Sequence, residues 1–345
     1  MKLSLLNLVP VRAGQTYKDA IDSMVALVQH AESIGLERYW IAEHHNMKNI
    51  TSSATDLLIQ RALDSTSSIR VGSGGVMLPN HSPLVVAERY GTLETLYPGR
   101  VDLGLGRAPG TDMRTAYALR RNQINPNFPE DIAELRGYFK DDNLVHAYPG
   151  AGLNVPFYML GSSTDSAYLA AELGLPYSFA AHFAPDMMYD AVQIYRNNFE
   201  PSEYLSDPYV ILGANAVLAT TDDEAHTLAT TQTMFFLNVV TNQRQPLQPP
   251  VESDDHIWDH IPETTEIPHF GPVNFQVTTI SHRERMIVER MQAISFVGSP
   301  NTVRQQITDL SHHIEFDEIM AQTLIYDESK QHSSYELLKE ILDTL

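Results

Sequence analysis

The chain has 345 residues, 43 acidic against 23 basic side chains for a net charge of −20, and 43% hydrophobic residues. That apolar content suffices for a full core and excludes a disordered chain, while the acidic balance, with no Lys/Arg run longer than two, leaves no footprint for a nucleic-acid backbone or an anionic membrane. The absence of cysteine excludes disulfides, zinc–thiolate sites and thiol catalysis.

The opening "MKLSLLNLVPV" is too short for a secretory signal, is interrupted by Asn7 and lacks a small-residue cleavage site. It reads as a first buried strand over 3–8 of a cytoplasmic protein. Amphipathic spacing predicts a helix over 17–33, and from there strand-length apolar runs alternate with helical periods. Strands are expected at 39–42, 69–72, 101–105, 156–160, 177–180, 209–217 and 318–323. Helices are expected at 54–65, 84–96, 131–138, 166–172, 187–199, 223–236, 302–314 and 334–342. Eight strands with interleaved helices fit an α/β fold of the (β/α)8 TIM-barrel type, one domain over 1–345; a doubly wound open sheet is the competing architecture. The alternation breaks over about 243–285, where Pro and acidic residues dominate; this reads as an insertion, either plain surface or a cover over the site.

In a parallel barrel the chemistry forms at the C-terminal strand ends, and four of these carry polar or Gly-rich sequence: "AEHHNM", "GSGGVMLPNHSP", "GLGRAPGTD" and "GSSTDS". In "EHH", strand alternation puts Glu43 and His45 on one side and His44 on the other. With no H-x-H or H-E-x-x-H anywhere, a metal site is disfavoured; one histidine is structural and one faces the pocket. "GLGRAPG" fails as a dinucleotide fingerprint, because Pro109 stands where the third glycine belongs. What it offers is Arg107, a forked cation suited to phosphate or carboxylate. "GSSTDS" stands at a helix start, where Ser162, Ser163 or Asp165 caps the helix, or its small hydroxyl residues and free backbone N–H groups, with Arg107 on the neighbouring strand, bind an anion. Gly74 and Gly75 let a flat ligand approach backbone without a Cβ in the way, or mark a bulge or a non-proline cis peptide.

These blocks, "RYWIAEHHNM", "VGSGGVMLPNHSPLVVAERYGTLETLYPGRVDLGLGRAPGTD" and "MLGSSTDSAYLAAELGLPYSFAAHF", together resemble the bacterial luciferase-like flavin-dependent monooxygenases, in their single-component, alkanal monooxygenase-like branch. The resemblance runs from the first strand to about 217 and resumes at "FVGSP". It implies a (β/α)8 barrel and homodimer that uses reduced FMN, supplied by a separate NAD(P)H:flavin reductase, with O2 to oxidise a small organic substrate. It implies His44 as the catalytic histidine, Gly74 and Gly75 beneath the flavin ring on a non-proline cis peptide, and Arg107, Ser162, Ser163 and Ser166 at the phosphate, with no metal. Two departures from the luciferase pattern stand out: Ser162 replaces a glutamate, and Gly106 replaces a reactive cysteine and is expected to open space near the ring. The same slot and clamp would serve deazaflavin F420 in hydride transfer, or a flavin-binding barrel without turnover; a metal-dependent hydrolase fits least.

Overall fold

The computed structural model describes residues 1–108, 110–120, 127–258 and 283–345. Eight parallel strands close a ring: β1 (Lys2–Asn7), β2 (Arg38–Ile41), β3 (Arg70–Met77), β4 (Val101–Gly106), β5 (Phe157–Gly161), β6 (Tyr177–Phe179), β7 (Val210–Leu218) and β9 (Glu318–Gln322), which pairs back onto β1. These are the eight strands expected from the sequence, and the barrel, not the open sheet, is the architecture. A ninth strand, β8 (Ser295–Gly298), extends the rim by pairing with the upper half of β7, from Asn215 to Leu218, beyond the point where β6 has ended. The sequence reading passed over it because its apolar content is two residues, Phe296 and Val297, between Ser295 and Gly298.

The helices form where capping and periodicity agree. In α1 (Tyr17–Ser33) the Thr16 side chain accepts from the Asp19 N–H and Asp19 accepts from the Thr16 N–H, a capping box, and Ala20, Met24, Leu27, Val28 and Ala31 bury one stripe. The others expected are α2 (Thr55–Asp64), α3 (Pro83–Leu96), α5 (Phe128–Lys140), α6 (Thr164–Glu172), α7 (Met188–Asn198), α8 (Asp222–Val240), α11 (Pro300–Ser311) and α12 (Glu328–Leu342). Among these, α12 starts well ahead of the expected 334, capped by Asp327 accepting from the Lys330 N–H through a stretch too polar to show a period. Unexpected are α4 (Met113–Arg120), α9 (Asp254–Trp258), α10 (Arg283–Met291) and a 3-10 turn, Leu78–Asn80. Because α10 begins at Arg283, the aperiodic segment is shorter than 243–285; its stretch 259–282 lies outside the described residues. No helix among the described residues is long and apolar enough to cross a membrane.

The lower end of the barrel is closed by charge. Arg38, 4% exposed, donates from Nε to Glu318 Oε1 (2.9 Å), from Nη2 to Glu318 Oε2 (3.2 Å) and from Nη1 to Asp102 Oδ2 (2.9 Å) and the Tyr158 hydroxyl (2.7 Å). Asp102 also accepts from Trp40 Nε1 (3.0 Å) and Arg70 Nε (2.8 Å); Glu318 also accepts from Ser4 Oγ and the Tyr209 hydroxyl. Both carboxylates are fully buried, so every oxygen needs these donors. Removing Arg38 takes from the buried Glu318 its cation and leaves the buried Asp102 with Arg70 alone. Arg38→Leu is expected to destabilise the protein by about 3–5 kcal/mol, read as a lowered urea midpoint; an unchanged midpoint would show that the network carries no weight.

Candidate functional site

At the upper end, β2 runs into Glu43, His44 and His45. Glu43 is buried, and its Oε1 accepts from His45 Nε2 (2.8 Å) and His81 Nε2 (2.7 Å) while Oε2 accepts from the Met77 N–H (3.1 Å). Burial pushes this carboxyl up, but the donors from His45, His81 and Met77 outweigh it and hold it down at about 2. Glu43, His45 and His81 are the one group of metal-capable side chains brought together among the described residues, and their spacing is that of direct hydrogen bonds, shorter than two ligands on one ion normally stand. The carboxylate thereby ties the β2 loop to the end of β3.

Strand alternation then turns His44 the other way. Its backbone N–H donates to Ser52 O (3.3 Å), its ring Nδ1 is buried, and burial depresses the ring to about 4, so the imidazole is neutral near pH 7. His45 is the structural member of the pair. A second depressed ring stands just after β6: His182, also at about 4 through burial, has its Nδ1 buried against Gly213 without a hydrogen-bond partner among the described residues and its ring edge-on to Phe183 at 4.9 Å.

The Gly74–Gly75 peptide is cis. Both glycines also have a packing reason that the sequence did not reveal: a Cβ on Gly74 would stand 2.8 Å from Leu6 Cδ1, and one on Gly75 would stand 2.7 Å from the Gly104 carbonyl oxygen. This stretch of β3 therefore presents backbone alone. The space expected above Gly106 is not open, because the Met77 sulfur lies 3.0 Å from where its Cβ would be. That expectation is corrected by the long, adaptable side chain at the neighbouring strand end.

Pairing of β4 with β5 brings Arg107 to the start of α6. Its Nη1 and Nη2 both lie 3.4 Å from Asp165 Oδ2, with side chains 55% and 71% exposed. Ser163 is the N-cap but makes no side-chain capping bond. Ser166 is nearly buried and its hydroxyl is engaged inside the loop, donating to Ser163 O (2.7 Å) and meeting the Tyr177 hydroxyl (3.0 Å). Ser162 follows the end of β5, so what this loop chiefly offers is the N–H groups at the start of α6, from the N-cap Ser163 onward, which have no intrahelical partner. The structure brings Arg107 against Asp165, in the loop and first turn that also carry Ser162, Ser163 and Ser166; His44 follows β2, and Gly74–Gly75 lie on the adjoining β3. The sequence offers Asp165 as a cap; nothing in one sequence says that it meets Arg107.

Over the mouth, an apolar cluster continues from Leu6, Trp40 and Met320 of the barrel interior to Phe235 and Phe236 of α8 and Val288 of α10. The segment after α8 crosses to the loop that follows β1, where Leu247 exchanges backbone hydrogen bonds with Val11 and Ala13, and Arg244 donates to Asn46 O beside Asp112. A described part of the aperiodic segment thus lies against the "EHH" loop.

The family model described as luciferase-like monooxygenase matches residues 1–317. The chain is 44% identical to the Bacillus subtilis protein YvbT over 98% of its length and 96% of that protein, and 41% identical to a luciferase-like monooxygenase of Escherichia coli over 99% and 97%. Among solved structures, apo-MsnO8 superposes with a TM-score of 0.83 at 31% identity, covering 100% of this chain and 99% of that one. The fold alone is shared with an oxygenating constituent of 3,6-diketocamphane monooxygenase from Pseudomonas putida in complex with FMN (TM-score 0.67, 18% identity, 99% and 97% covered) and with an F420-dependent secondary alcohol dehydrogenase (0.66, 13%, 99% and 97%).

Protonation of His44 and His182 is opposed by burial, whereas in the unfolded chain both rings protonate near 6.5. Their contribution to stability is therefore full above about 6.5 and is lost as pH falls toward about 4. Urea unfolding at about pH 7 and about pH 4.5 should show a smaller fall in midpoint for His182→Gln than for the wild type. A variant as acid-sensitive as the wild type would contradict a buried, neutral His182.

Proposed function

The chain belongs to the luciferase-like monooxygenase family, and from that premise we propose that it binds reduced FMN and uses O2 to oxidise a small, largely apolar organic substrate. The observation that carries the cofactor reading is the placement of Arg107 beside the first turn of α6. A fixed forked cation and helix N–H groups, converging from two paired strands, make a site for one phosphate and not for a dinucleotide. The side-chain-free Gly74–Gly75 backbone suits a flat ring, and the apolar mouth suits a substrate with few polar groups. An FMN-bound fold neighbour supports the same choice.

Bound reduced flavin would supply the electrons for oxygen activation. The chain's own part is to hold the phosphate with Arg107, to offer the backbone of Gly74 and Gly75 to the ring, and to exclude water with α8, α10 and the segment around Leu247. His44, neutral near pH 7, is the group suited to accept a proton from the reacting centre and return it. Glu43 fixes the loop that carries it. We read the protein further as a cytoplasmic homodimer that receives reduced flavin from a separate NAD(P)H:flavin reductase.

Fluorescence titration with oxidised FMN, dithionite-reduced FMN and F420 tests the reading. Reduced FMN is expected to bind, with Arg107→Ala weakening it at least about tenfold. His44→Asn is expected to keep affinity within about twofold and to lower oxygen consumption with reduced FMN by about two orders of magnitude. Binding of F420 with no response to either form of FMN would move the protein to hydride transfer, and binding of FMN without oxygen consumption would make it a carrier.

A further inference from the structure

The blocks "GRAPG" and "GSSTDS" contain two charged residues, Arg107 and Asp165, and they face each other. Asp165 is the second residue of α6, where a carboxylate is favoured by the helix dipole, and the N-cap residue Ser163 supplies no side-chain cap. A single carboxylate oxygen, Oδ2, lies 3.4 Å from both guanidinium arms, so the fork is approached end-on and not bidentately. Both side chains are more than half exposed, which makes the pair weak and open to exchange with another anion.

We propose that Asp165 is a tethered rival of the ligand's phosphate for Arg107 and thereby sets how loosely the protein holds a phosphate-bearing flavin. The proposal rests on the reading of Arg107 as the phosphate ligand. A phosphate carrying nearly two charges and three acceptor oxygens outcompetes one end-on carboxylate, but engaging it strips Asp165 of its partner and leaves a like charge beside the new anion. Competition and repulsion both act against the phosphate end of a ligand and neither acts on its ring. Asp165 is therefore a specificity residue for the charge at the end of the flavin chain, and the loose hold it produces suits a protein that takes its flavin from solution and returns it.

The test is a titration of FMN and of riboflavin, followed by flavin fluorescence at one ionic strength, for wild type, Asp165→Asn, Asp165→Glu, Arg107→Ala and the Asp165→Asn/Arg107→Ala double variant, each checked for a wild-type melting curve. Asp165→Asn is expected to tighten FMN binding about three- to tenfold and to leave riboflavin within about twofold. Asp165→Glu, which keeps the charge, should bind FMN as the wild type does, and the gain should vanish when Arg107 is alanine. Unchanged or weaker FMN binding by Asp165→Asn, an equal gain on riboflavin, or a gain that survives Arg107→Ala each overturns the rivalry while the phosphate reading stands on the loss in Arg107→Ala. An Arg107→Ala variant that keeps wild-type FMN affinity overturns the phosphate reading itself, and the rivalry with it.

Discussion

Everything above the floor of the barrel depends on Arg38. It lies on β2 and reaches over one strand on either side, across β3 to Asp102 on β4 and across β1 to Glu318 on β9, the first and last parts of the chain. A buried guanidinium offers five donors in a plane, and here they are aimed at two fully buried carboxylates and a tyrosine hydroxyl. Such a cluster is worth less as net stability than as a constraint on register. A slip of one residue on β2 would turn Arg38 out of the interior, taking from Glu318 its cation and leaving Asp102 with Arg70 alone. Register at the floor fixes, five to six residues further along, which side chains emerge at the mouth.

At the mouth the same device recurs on a smaller scale. Glu43 gathers three donors, two of them histidines, and ties the loop after β2 to the end of β3. Because His45 is committed to Glu43, alternation leaves its neighbour His44 on the opposite side, in surroundings that keep it uncharged. An anionic carboxylate held at about 2 beside a ring depressed to about 4 illustrates how adjacent groups acquire opposite tendencies: donors dominate at Glu43 and desolvation dominates at His44.

The ring of eight strands was legible because each is a short apolar run flanked by turn residues, and β7, buried at every position, is the extreme case. What stayed hidden has physical causes. β8 depends for its existence on the exposed upper edge of β7, a tertiary fact with two apolar residues to announce it. The start of α12 is set by the Asp327 cap and not by a hydrophobic period. Arg107 could be singled out as a cation at a strand end, and Glu43 lay in a quoted motif, but their partners could not be: His81 is 38 residues from Glu43, and Asp165 is 58 from Arg107. Sequence shows which side chains are chemically suited to a role; the closing of the barrel decides which of them meet. Met77 over Gly106 is the converse case, where a small residue promised space that a flexible neighbour fills.

A chain of net charge −20 is a poor long-range attractor for a dianionic ligand, and at physiological salt its overall field fades within about 8 Å of the surface. On the proposed reading, capture of a phosphate is then decided at contact, by Arg107 and the first turn of α6. There the resident carboxylate of Asp165 makes the exchange one anion for another instead of the filling of an isolated positive site. Such an exchange keeps the guanidinium partnered before and after, so part of the intrinsic Arg–phosphate attraction is offset and does not appear as affinity. On the proposed reading, a phosphate held less tightly than Arg107 alone would hold it, with the ring against Gly74–Gly75, would give a flavin oriented by its flat end and released from its charged end, as turnover of a borrowed flavin requires.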